Sequence, residues 1–185
     1  MKLVIHDKNA YFRDKCRNMN TADRTSPVNN IVDEPQAFYQ LESRFDRISS
    51  ILGGQASMGF NIHSEFDLIE MTRKGLPTAV VRQISDLLNV SMEKMSELIH
   101  ISHRTIQRKG DTDLLNVYST EQIIEIAEVI SRGIEVLGTV EAFTAWCHGE
   151  LRHLNYNKPI DLLDTSFGAS MVLDTLGRIE HGVYS

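Results

Sequence analysis

The sequence predicts an all-α protein: a helix-turn-helix DNA-binding domain followed by a small helical domain, with an N-terminal arm and helix ahead of them. Three observations carry this expectation. Apolar residues recur at i, i+3, i+4 and i+7 through most of the chain after Pro35. Ser or Thr stands before the periodic runs at Ser64, Ser91, Ser102, Ser119 and Thr139, where a side-chain oxygen can accept from an unpaired first-turn N–H. An alternating pattern fit for a strand is found only at Leu3–Ile5.

In order, residues 1–33, which include "NMNTADRTSPVNN", read as a loosely ordered arm. From Pro35, placed in the first turn, Phe38, Leu41, Phe45, Ile48 and Leu52 define a helix that Gly53-Gly54 stops. "GGQASMGFNIHS" is a connector, and Ser64 caps a helix through Phe66, Leu68, Ile69 and Met71 to Gly75. Pro77 or Thr78 opens the next helix, with Val81, Ile84, Leu87 and Leu88 on one face. Ser91 caps a short helix carrying Met92, Met95 and Ile99, and Ser102 caps another built around Ile106. Two such caps with Ile101 between them describe a helix-turn-helix. Ser119 with Gln122 makes a capping box for a long helix whose stripe runs from Ile123 to Leu137, ending at Gly138. Thr139 caps a helix with Phe143 and Trp146 spaced for core packing. "HLNYNKP" is a turn and Ile160–Leu163 a short helical piece. Ser166 opens a final helix that buries Val172, Leu173, Leu176 and Ile179 and stops at Gly182. The expected division is 1–56 for arm and first helix, 57–112 for the helix-turn-helix domain and 113–185 for the C-terminal domain.

A hydrophobic share of 42 % over 185 residues is enough for a packed core, and 24 % charged residues suits a soluble chain. The only apolar run before His6 and Asp7 is Leu3-Val4-Ile5, and no run elsewhere approaches the ~18 residues of a membrane span. Cys16 and Cys147 form no disulfide framework or metal-ligand spacing and read as thiols of a reducing compartment, so the expected location is cytoplasmic. No enzyme is expected. His100, His103, Cys147, His148 and His153 supply no set of ligands at metal spacing, and no Gly-rich phosphate loop or nucleophile setting appears. Neither a metal nor a cofactor is expected.

The net charge of −6 hides an uneven distribution: residues 72–110 carry a balance of +4 and residues 111–185 a balance of −8. Separate surfaces for a polyanion and for a protein partner account for this pattern. The basic segment is "ISHRTIQRKG", residues 101–110. Its helix displays Ser102, His103, Arg104, Thr105, Gln107 and Arg108 around Ile106. In a helix-turn-helix the second helix enters the major groove, where Arg pairs with guanine, Gln with adenine, and Ser or Thr with phosphates or bases. These six residues are the candidate DNA contacts. One such unit makes few phosphate contacts, so a two-fold homodimer on a palindromic operator is the expected arrangement.

With those residues in place, the chain resembles the Xre/ParS-type antitoxins of bacterial toxin–antitoxin pairs over roughly residues 60–185. "KGLPTAVVRQISDLLNVSMEKMSELIHISHRTIQRKG" is similar to that family's Xre-like DNA-binding domain. "AWCHGELRHLNYNKPIDLLDTSFGASMVLDTLGRIEHGVYS" resembles its C-terminal toxin-binding domain: a Trp, a loop, Pro-x-Asp-Leu-Leu-Asp-Thr, a Gly and a closing Leu-x-Arg-Ile-Glu-x-Gly-Val. The resemblance implies a cognate RES-domain toxin that attacks NAD or transfers its ADP-ribose, and a C-terminal end that lies over the toxin's active-site cleft. It also implies that a dimer represses its own operon. By motif position, Arg178, Ile179, Glu180, His181, Gly182, Val183 and Tyr184 are the candidate toxin-binding residues. The competing expectation is a stand-alone transcription regulator whose C-terminal domain dimerises or senses a small molecule.

Overall fold

The computed structural model describes residues 43–54 and 61–183. The arm, the strand at Leu3–Ile5, the positions Pro35, Phe38 and Leu41, and Tyr184 lie outside the described residues. Among those described, the chain is helical, with no strand beyond two isolated β-bridges.

Helix α1 spans Arg44–Ile51. Ser43, extended at ψ 158°, accepts from Asp46 N while the Asp46 carboxylate accepts from Ser43 N, a reciprocal capping box. This corrects the expectation of one helix running from Pro35 through Leu52. A residue in extended conformation at position 43 interrupts the apolar periodicity that suggested it. Helix α2, Glu65–Lys74, is capped by Ser64 and closed by Gly75 at φ +91°. Asp67 sits below the usual carboxylate range, chiefly because the His63 N–H donates to it and next because the Ser64 hydroxyl does.

Helices α3 (Ala79–Leu88), α4 (Met92–Leu98) and α5 (His103–Arg108) follow. Ser91 and Ser102 cap α4 and α5 as the spacing predicts, accepting from Lys94 N and Thr105 N. The chain then returns beside the start of α3, with Leu115 N donating to Leu76 O at 2.8 Å and Thr78 N to Asp113 O at 2.9 Å.

Helix α6, Val117–Leu137, is the axis of the described residues, and α1, α2, the following α7 (Val140–Cys147) and the last helix all pack on it. Its cap is Asn116, which accepts from Ser119 N, not the Ser119–Gln122 box. Both Ser119 and Gln122 lie inside the helix and are buried, Gln122 donating to Leu163 O at 2.8 Å. Asn caps as well as Ser does, and Asn116 stands three residues earlier, where the chain is still exposed. The Ser119 hydroxyl finds no partner among the described residues. Leaving a buried hydroxyl unpaired costs about 1–3 kcal/mol, and Ala is the better helix former. Ser119→Ala is therefore expected to leave stability unchanged or raise it by up to about 1 kcal/mol. A urea midpoint that falls in the variant would show instead that the hydroxyl is bonded.

Phe143 of α7 is fully buried against α6 because Gly133 has no side chain: a Cβ there would meet the ring at 2.0 Å. Thr139 caps α7, and Phe143 and Trp146 pack with ring centroids 6.1 Å apart, as their spacing suggests. A 3₁₀ turn at Arg152–Leu154, the short α8 (Pro159–Leu162) and α9 (Ser166–Glu180) complete the chain. The α9 cap is Thr165 and not Ser166, a shift of one residue: Thr165 is extended and accepts from Gly168 N. Val172 and Leu176 are buried as expected, while Leu173 and Ile179 are only half-buried. Cys147 lies in the core, and burial pushes its thiol up to about 12, which keeps it protonated and unreactive.

Candidate functional site

Helices α4 and α5 meet through Ile99–Ser102, and His100 makes the turn possible by adopting φ +56°. Its N–H donates to Glu97 O and that of Ile101 to Ser96 O, the paired closure usually built on a left-handed Gly. What holds a histidine there is tertiary. Its Nε2 lies 2.7 Å from Asp164 O, so Nε2 carries the proton and donates, and its ring packs on Tyr118 at 5.5 Å. Lys94 of α4 also pairs with Asp161 of α8 at 2.7 Å. The helix-turn-helix is thus anchored on the segment that leads into α9.

The structure divides the six candidate DNA residues into three pairs. Ser102 and Thr105 are exposed but serve the cap, with their hydroxyls 2.7 Å apart. His103 sits between Glu93 (3.3 Å) and the amide nitrogen of Gln107 (3.3 Å), a geometry in which Gln107 donates to Nε2 and Nδ1–H faces the carboxylate. Glu93 lies below the usual carboxylate range through its own backbone N–H first, then the Ser91 hydroxyl, then His103. Arg104 and Arg108 are exposed and pair with nothing among the described residues. Ile106 alone seats the helix, at 6 % exposure. At the position where a second buried aliphatic would help, Lys109 donates its ammonium to Leu114 O at 2.8 Å.

The C-terminal candidates form the end of α9. Gly182 at φ +67° lets its own N–H donate to Ile179 O and that of Val183 to Arg178 O, so Arg178 to Val183 fold into one Schellman closure. Arg178, Glu180, His181 and Val183 are exposed and Ile179 is half-buried. Glu180 is held by Arg132 of α6, a partner 48 residues away that periodicity gives no means of finding. Arg132 also pairs with Glu135 at 3.0 Å, and Glu135 with Arg47 at 3.1 Å. Burial pulls the Arg132 guanidinium down, but Glu135 and Glu180 more than offset it. This chain of ion pairs ties α1 and α6 to the last turn of α9. Among the described residues no group of His, Cys, Asp and Glu is placed to hold a metal, and no helix is long and apolar enough to cross a membrane.

Two apolar side chains of α9 that the periodicity leaves out of the core, Phe167 and Met171, stand exposed on its outer face.

An all-α chain with a helix-turn-helix and an appended helical domain defines the class; the comparisons then place it within that class. Residues 67–128 match the antitoxin Xre-like helix-turn-helix domain, and residues 132–182 match the antitoxin Xre/MbcA/ParS C-terminal toxin-binding domain. The chain belongs to the Xre/MbcA/ParS antitoxin family. It is 25 % identical to "Antitoxin Xre" of Photorhabdus laumondii over 70 % of this chain and 88 % of that one. It is 24 % identical to "Prs ADP-ribosylating antitoxin" of a Sphingobium species over 66 % and 83 %, and 26 % identical to "Antitoxin Xre" of Yersinia enterocolitica over 64 % and 81 %. A chain of the M. tuberculosis MbcT–MbcA toxin–antitoxin complex aligns with a TM-score of 0.43 and 19 % identity, over 58 % of this chain and 96 % of that one.

Proposed function

We propose that this antitoxin neutralises a cognate RES-domain toxin, an NAD-consuming or ADP-ribosylating enzyme, by laying residues Arg178 to Tyr184 over its active-site cleft. We also propose that it acts in the cytoplasm and that a homodimer binds and represses its own operator through α5. The observation that carries the first part is the folded end of α9. Its last turn is pinned by Arg132 and closed by Gly182, yet it presents Arg178, His181 and Val183 to solvent. A pre-shaped end loses less ordering entropy on docking than a loose one. NAD sites bind a polyanion and are often cationic, so an acidic last third complements such a partner. The words "ADP-ribosylating" in the name of the Sphingobium relative accord with this choice of toxin.

For the operator, the exposed guanidinium groups of Arg104 and Arg108 carry the reading, since among the described residues they have no partner to give up. Co-expression with the toxin encoded beside the gene tests the first part: growth should be rescued, and failure to rescue favours the stand-alone regulator. Arg104→Ala with Arg108→Ala should weaken operator binding about tenfold or more and flatten its salt dependence, by about 0.9 in slope per lost phosphate contact. Neutralisation should be untouched. An unchanged gel-shift affinity removes α5 from the DNA interface.

A further inference from the structure

Helix α9 turns one face to the core and leaves another bare. Gly168, Ala169, Val172, Thr175 and Leu176 are buried. Phe167, Met171, Asp174 and Arg178 are all exposed and recur at i, i+4, i+7 and i+11, one continuous stripe about 16 Å long. Phe167 is 89 % exposed and Met171 49 %. Neither contributes to the core, and Phe is a poor helix former, so the fold itself does not call for a phenyl ring at that position.

Two contacts determine which way the stripe faces. A Cβ at Gly168 would stand 1.9 Å from Leu162 O, so the first turn of α9 lies directly on the end of α8 and cannot rotate to bury Phe167. Farther along, the His153 ring donates to Thr175 Oγ1 at 3.1 Å while that hydroxyl donates to Met171 O, which ties the loop before α8 to the inner face of the helix.

We propose that the stripe Phe167–Met171–Asp174–Arg178 is a second toxin-docking surface, a helix face received by an apolar groove of the toxin with a cation opposite Asp174. This rests on the antitoxin reading and extends it from the chain end to the whole outer face of α9. The toxin is the occupant argued for on two grounds. All four residues lie within the match to the toxin-binding domain, and the stripe runs without a break into the Arg178–Val183 end proposed to cover the cleft. Anchors spaced in this way along one helix face are how a helix is recognised in a groove, and aromatic anchors dominate such interfaces. The two parts of the contact then differ in role: Phe167 and Met171 supply affinity, and the chain end supplies inhibition.

The test is a titration of the full-length chain with the purified toxin encoded beside it, comparing wild type with Phe167→Ala/Met171→Ala and with Phe167→Asp. The double variant is expected to bind about 30-fold or more weakly. Thermal midpoint and operator affinity should be unchanged, since both side chains are exposed. Binding within about threefold of wild type overturns the proposal. So does a variant that loses self-association, read from its elution volume, while keeping full toxin affinity, because the face would then join two copies of this chain. Absence of binding by the wild type overturns instead the proposed pairing with that toxin, which separates the two failures.

Discussion

Removing residues 178–185 is expected to abolish neutralisation of the toxin and to spare operator binding. The cut deletes the last turn of α9, the Schellman closure through Gly182, and Glu180, the partner of Arg132. It leaves Val172 and Leu176, the fully buried anchors of α9, in place, so the helix keeps its seat on α6. The inhibition constant should rise about 100-fold or more, as expected when a central anchor of an interface is lost. Growth in the presence of the toxin should fail while the gel shift persists. Cutting only residues 182–185 gives the sharper comparison, because it opens the closure but keeps the Arg132–Glu180 pair. Full protection by the longer truncation would refute the cleft-covering role.

The second large effect is on the fold. Gly168→Ala is expected to destabilise the protein by about 3 kcal/mol. The added Cβ would lie 1.9 Å from Leu162 O and 2.8 Å from its carbonyl carbon, so backbone, not a mobile side-chain tip, must yield. A loss of that size lowers the thermal midpoint by about 6–12 °C in a chain of this length. Ser170→Ala, on the exposed side of the same helix, is the control and should stay within about 0.5 kcal/mol. Equal midpoints for the two variants would show that α8 and α9 are not in such close contact. A toxin titration of Gly168→Ala should weaken as well, because the first turn carries Phe167.

Much of this fold is legible locally. Ser64, Ser91, Ser102 and Thr139 each accept from a first-turn N–H, and a cap needs only residues within three of it. The start of α6 shows the limit of local rules: Asn116 and Ser119 both satisfy one, and only burial of Ser119 decides between them. The break at Ser43 hid inside a continuous apolar period. The cations of α5 are visible in the sequence as a basic cluster, but the pairing of His103 with Glu93 and Gln107 requires the turn geometry. Arg132 was out of reach because its partner is 48 residues away, and Phe167 because exposure is a property of the packed molecule.

The two matched segments meet inside one uninterrupted rod: the first ends at residue 128 and the second begins at 132, both within Val117–Leu137. No hinge exists at that junction. Exchange of partner specificity between related proteins by recombination therefore has to carry Val117–Leu137 across whole, and a crossover at the junction itself would splice two half-rods with unmatched flanks.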